Sequence, residues 1–189
     1  MKLRFLGGTR EVGRSAIAVS SGSTTLLLDY GVLINREPEF PLHIPPKEIA
    51  GIILTHAHLD HSGGIPIFHI RRRIPVYATR LTFELTRILI KDFLKLSGYY
   101  LPYEYAELES MLKSAVPVEC GETLRIGDFK VTFIEAGHIP GSIQVILEAE
   151  GKRILYTGDV NAYETRLLRA ADTDYGELSA VIVESTYAN

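Results

Sequence analysis

The chain has 189 residues, 20 basic and 23 acidic side chains and a formal net charge of −3, with 46% apolar residues. That is enough length and hydrophobic content for one domain with its own core, and too balanced a charge for an obligatory nucleic-acid coat, although a local basic groove is allowed. One cysteine, Cys120, excludes an internal disulfide and a thiolate metal cluster, and no run approaches the roughly 20 apolar residues that span a bilayer. A reducing, intracellular setting, the cytoplasm, is the expectation, with no membrane partner.

In chain order, KLRFLG (2–7), SAIAVS (15–20) and TTLLLDYG (24–31) are short apolar runs bounded by Gly or Ser and read as adjacent strands. The proline-rich stretch that follows Gly31 reads as loop. AGIILT (50–55) is a continuous apolar run of the kind found in a strand buried on both faces. GIPIFHIRRR (64–73) predicts a short helix and IPVYAT (74–79) a strand. Apolar residues at 81, 85, 88, 89, 93, 94 and 96 predict an amphipathic helix over 80–96, capped by Thr79 and stopped by Gly98. A second helix is predicted over 102–115, with Pro102 in or near its first turn. From Val116 the pattern returns to strands, folded into hairpins at Gly127-Asp128 and Glu150-Gly151, and SAVIVE (179–184) reads as a last strand of the buried type. Strands and helices in mixed order predict a layered α/β or α+β sheet.

The chemistry concentrates just past the strand at 50–55. HAHLDH (56–61) places three of the six histidines and one aspartate within six positions. Imidazole and carboxylate suit Zn²⁺, and also Mn²⁺ or Fe²⁺. Surface histidines, or a closed structural zinc, are the competing readings; structural zinc sites favour cysteine ligands, and only one cysteine is present. His138 and Asp159 repeat the same pattern of apolar strand, small residue and ligand. We therefore expect His56, His58 and His138 on one metal, Asp60 and His61 on a second, and Asp159 between them. The second metal is left one protein ligand short. Asp29 either accepts a hydrogen bond from a ligand imidazole or is a turn aspartate. His43 and His69 read as ordinary loop and helix-surface residues. Arg71–Arg73, Arg10 and Arg14 are candidates for phosphate contacts, with a solvated helix end the simpler reading for the first three. Tyr99, Tyr100 and Tyr103 are read as packing residues before base-stacking ones.

HAHLDH followed by SGG resembles the H-x-H-x-D-H motif of the metallo-β-lactamase superfamily, and LLLDYG, GHIPGS and YTGDVN resemble its first, third and fourth motifs. GGTREVGRS (7–15) and the ending VIVESTYAN (181–189) resemble the β-CASP nucleases within it, with Glu184 as their acidic motif residue and Ala188 departing from the usual glycine. The resemblance implies an α/β fold, the four-layered αββα sandwich, of which residues 1–189 are the incomplete N-terminal portion ending near the β-CASP insertion point. It implies a metal-dependent nuclease for RNA or single-stranded nucleic acid, with two divalent metal ions held by His56, His58, Asp60, His61, His138 and Asp159. Catalytic roles fall to Asp60, which orients water or accepts its proton, and Glu184, which supports the catalytic face. A C-terminal region or a second chain would supply the remaining metal ligand and a general acid, so the isolated chain is expected to be weakly active or inactive. A small-molecule hydrolase of the glyoxalase II or lactamase type and a subunit of a split nuclease are the alternatives.

Overall fold

Alternation of side chains along the strands decides the layering. In the computed structural model, which describes residues 1–186, β1 (Lys2–Gly7), β2 (Ala16–Ser21), β3 (Thr24–Leu28), β4 (Gly51–Ile53), β5 (Val76–Ala78) and β6 (Ala115–Pro117) form one sheet in that order. β1–β3 pair antiparallel, and β3 to β6 pair parallel. β7 (Thr123–Ile126), β8 (Phe129–Glu135), β9 (Ile143–Ala149), β10 (Lys152–Tyr156) and β11 (Ala180–Ile182) form the second sheet, antiparallel except for the β10–β11 pair.

Ile17, Val19, Leu26, Leu28 and Ile53 face Phe129, Val131, Phe133, Val145 and Leu147 between the sheets. The other face of the first sheet, with Ala18, Leu27, Ile52 and Leu54, lies under α2 (Arg80–Ser97) and α3 (Tyr105–Leu112) through Phe83, Ile90, Leu94, Leu108 and Met111. Full burial of each large side chain contributes roughly 1.5–3 kcal/mol, so two apolar interfaces fix three layers. On the outer face of the second sheet Gln144, Ile146 and Leu155 are buried. Gln144 is tied to the irregular segment 157–179 through Asp172 and Tyr175. That segment lies where the second helical layer of the expected sandwich would sit.

Several elements depart from the sequence expectations. The predicted helix over 64–73 is a 3₁₀ turn, Ile65–His69, with Pro66 in it. The predicted helix over 102–115 shortens to α3, because Glu104 caps it in a reciprocal box with Glu107 and Pro102 stays outside. Thr79 caps α2, accepting from Thr82 N at 3.2 Å. Gly98 stays right-handed and passes into a further 3₁₀ turn, Gly98–Tyr100. The last strand is not of the buried type: β11 is an edge strand among the described residues, and Val181 and Val183 are more than half exposed.

His43 is exposed as expected, whereas His69 is buried, only 3% exposed. The 3₁₀ turn that carries it packs against α3, which turns the ring inward, and neither ring nitrogen has a hydrogen-bond partner among the described residues. Burial pushes its imidazole down to about 4. A depressed histidine contributes stability that is fully present above its ordinary value near 6.5 and is lost as pH falls toward 4. We expect acidification from pH 7 to pH 4.5 to cost His69 on the order of 2 kcal/mol. His69→Phe should flatten that limb of the profile by the same amount, checked by urea unfolding at both pH values.

Candidate metal centre

Four strand ends deliver the site. Asp29 follows β3, Thr55, His56 and His58 follow β4, His138 follows β8, and Asp159 follows β10. Asp60 and His61 lie on a single helical turn, α1 (Leu59–Ser62).

Asp29 adopts the left-handed region, with φ of 53°, which aspartate tolerates better than most residues. Its carboxylate is fully buried. Oδ1 accepts from Thr55 N at 2.8 Å. Oδ2 accepts from the Thr55 hydroxyl, the Tyr156 hydroxyl and His61 Nδ1, each at 2.8 Å. Of the two readings of Asp29, an acceptor for a ligand imidazole or a turn aspartate, these contacts match the first.

These contacts fix two tautomers. His61 donates its Nδ1 hydrogen to Asp29, which leaves Nε2 as the nitrogen that takes a metal or a second proton. The Thr55 hydroxyl has one hydrogen and donates it to Asp29. It therefore offers His56 Nδ1, 3.1 Å away, only a lone pair; Nδ1 carries the proton and His56 Nε2 is bare.

The bare His56 Nε2 lies 3.1 Å from His58 Nδ1, and His138 Nε2 lies 3.3 Å from the same atom. Asp159 Oδ2 is 3.7 Å from His56 Nε2 and 3.5 Å from His138 Nε2. Four donors arranged tetrahedrally at zinc bond lengths lie about 3.3–3.4 Å apart. Lone pairs converging at this spacing repel unless a cation sits among them. His56, His58, His138 and Asp159 thus form a donor set suited to one divalent metal ion.

On the far side of Asp159, its Oδ1 lies 3.3 Å from His61 Nε2. Asp60 Oδ2 and Ser15 Oγ lie 3.8 and 3.5 Å from that nitrogen. Burial would depress His61, but Asp29, Asp159 and Asp60 prevail and push it up to about 10. Burial and the neighbouring imidazoles drive His56 well below its ordinary value. Burial lowers His138 as well, against the opposing charge of Asp159. For Asp159, burial raises the carboxyl, yet His61, His138 and His58 together hold it below the usual range. The carboxylates around His61 Nε2 therefore favour positive charge there, whether a proton or a metal.

Backbone crowding explains the small residues. A Cβ on Gly31 would lie 1.6 Å from Asp60 O, and one on Gly158, at φ of 53°, would lie 2.7 Å from Thr55 Oγ1. The His138 loop is pinned by Ser142 Oγ, which accepts from His138 N and Ile139 N. Thr79 and Thr82 hydroxyls both donate to Gly141 O.

A cleft of about 560 Å³ opens over the His61 side, lined by the glycine-rich first loop, Ser15, Asp60, Asp159 and Glu184. Glu184 does not join the histidine cluster. Its Oε2 accepts from Thr186 N at 2.7 Å, capping a turn at the cleft wall. Residues 187–189, the rest of the expected Glu-Ser-Thr-Tyr motif, lie outside the described residues. Arg10 lines the cleft, and Arg14 is engaged by Glu11 and Glu39. None of Arg71–Arg73 lines it, and Arg72 donates to Pro46 O. Tyr103 is buried, with its hydroxyl on Gly63 O, and Tyr99 is fully outside the core. Sequence reasoning missed Tyr156 and Ser15. For Tyr156 a signal existed: an aromatic with a polar tip at an inward strand position needs a buried partner.

Asp29→Ala strips four donors of their acceptor. We expect a loss of about 3–5 kcal/mol in urea unfolding, with Asp29→Asn intermediate because one acceptor oxygen remains.

A family profile described as the metallo-beta-lactamase superfamily matches residues 9–182. The chain is 41% identical to the "RNase aCSPSF2" of Saccharolobus solfataricus, over 98% of this chain and 38% of that protein. It is 36% identical to the "Probable RNase MJ4" of Methanocaldococcus jannaschii, over 100% of this chain and 46% of that protein. The chain thus spans less than half the length of these curated relatives. Among solved structures, a protein of unknown function from Enterococcus faecalis V583 shares the fold, with a TM-score of 0.62 at 19% identity over 85% of this chain and 43% of that one. Two stacked mixed sheets, a histidine–aspartate cluster at their strand ends and a profile match across nearly the whole chain lead to one assignment: the chain belongs to the metallo-β-lactamase superfamily.

Proposed function

We propose that this chain is the metal-binding portion of a phosphodiester hydrolase that cleaves RNA, a β-CASP-type nuclease of this superfamily. The observation that carries the reading is the placement of Asp159, whose two oxygens face two donor sets, His56–His58–His138 and His61–Asp60. In this reading the first set holds one ion, Asp60 and His61 hold a second, and Asp159 is shared. Similarity to the two archaeal proteins named as RNases runs over nearly the whole chain and supports the choice of substrate.

Two divalent ions, zinc by ligand type with manganese or iron as alternatives, would lower the pKa of a nucleophilic water and offset phosphate charge. The chain's own residues do the rest. Asp60, in the cleft lining, orients the attacking water and accepts its proton. Arg10, on the cleft wall, offers a cation to a backbone phosphate. Glu184, also in the cleft lining, holds its turn in shape by accepting from Thr186 N. The shortfall of one ligand on the His61 side, and the acid that protonates the leaving oxygen, we assign to a further region or a second chain. This fits residues 1–189 as the part of a metallo-β-lactamase domain that precedes an inserted β-CASP domain. A reducing compartment, the cytoplasm, suits the lone exposed Cys120. No helix among the described residues is long and apolar enough to cross a membrane.

Metal analysis after reconstitution should give two equivalents. Together with the further region or second chain, this chain should cleave labelled single-stranded RNA only while metal is present, with Asp60→Asn lowering the rate by about 10²–10⁴-fold. Residues 1–189 alone should show little or no cleavage. Hydrolysis of a thioester or β-lactam with RNA left intact would overturn the reading.

A further inference from the structure

We propose that Tyr156 is a positioning residue that sets the gap between His61 and Asp159, and so the affinity of the second ion. The inference rests on the two-ion reading above. Asp29 and His61 come from connections of the first sheet, while Asp159 leaves β10 of the second. The Tyr156 hydroxyl is the side-chain contact that carries Asp29 across to β10, at 2.8 Å. A closed loop of short links results. Tyr156 holds Asp29, Asp29 holds His61 Nδ1 at 2.8 Å, and His61 Nε2 faces Asp159 Oδ1 at 3.3 Å. The chain then returns from Asp159 to Tyr156 within three residues.

That return path is stiff. Thr157 N donates to Ile182 O at 3.1 Å and its hydroxyl donates to Gly158 O at 2.7 Å. Gly158 sits tight against Thr55. Packing does not require the hydroxyl, since Tyr156 belongs to the apolar layer between the sheets, paired with Val145, which in turn pairs with Phe133, and phenylalanine would serve there as well. Nor does Asp29 need it to be satisfied, because Thr55 donates to both carboxylate oxygens and His61 to one. What the hydroxyl adds is a connection between the two sheets at the atom that orients His61. Groups that orient metal ligands in this way typically change metal affinity by about 10–100-fold when removed.

The test is Tyr156→Phe in the same chain, titrated with Zn²⁺ against a competing chelator, alongside the wild type and Val145→Ala. Val145 faces Tyr156 in the β9–β10 register, so its truncation loosens the same core and keeps the hydroxyl. We expect Tyr156→Phe to bind the first ion within about 2-fold of wild type and the second at least about 10-fold more weakly. The low-field imidazole N–H proton of His61 should shift or broaden in its NMR spectrum. Val145→Ala should be less stable and keep the wild-type ratio of the two affinities. Equal loss at both ions, no loss, a selective second-ion loss in Val145→Ala, or a Tyr156→Phe chain that does not fold would each overturn the proposal. A wild type that takes up one ion refutes the two-ion reading, and this inference with it.

Discussion

A single buried carboxylate organises the centre. Asp29 accepts from a backbone amide, a threonine, a tyrosine and a histidine while fully removed from solvent. A buried acid is costly unless its lone pairs are satisfied, and here four donors meet it. The same contacts reach both sheets and settle which nitrogen of His56 and of His61 faces the site as its donor atom. Stability and ligand chemistry at this end of the molecule therefore share one atom, Oδ2.

The rest of the site follows from how strands end. A strand pinned in a two-faced core delivers the first residues past its end to a fixed place, and four such ends meet here. Short glycine-bounded loops keep those residues close, because Gly31 and Gly158 allow backbone contacts that a side chain would block. Helices α2 and α3 contribute by covering the first sheet, and the α2 cap residues Thr79 and Thr82 also hold the carbonyl of Gly141 behind His138.

Much of this was legible in the residues. HAHLDH, His138 and Asp159 announce a metal site because imidazole and carboxylate ligands follow apolar strands, and four of them, three imidazoles and one carboxylate, meet within one small volume. The α2 helix and its Thr79 cap are local signals, and the structure keeps them, but the buried face runs through Phe83, Thr86, Ile90, Phe93 and Leu94, while Leu81, Ile88 and Leu96 of the expected stripe are exposed. What escaped is tertiary. His69 looks like a surface histidine in its own segment and is buried only because α3, 36 residues later at its first position, packs over that turn. SAVIVE has the composition of a core strand, yet its exposure depends on which strands lie beside it. Tyr156 reads as one more apolar strand residue until Asp29, 127 positions earlier in the chain, is placed against its hydroxyl.

Because the donors of the centre are drawn from both sheets, they converge only when the whole sandwich is assembled. Any cation held there is bound by the native state and barely by the unfolded chain, so its free concentration enters the folding equilibrium directly, about 2.7 kcal/mol at a hundred times the dissociation constant. Metal supply would then govern how long the polypeptide survives proteolysis, and starvation for the ion would be felt first as turnover of the protein.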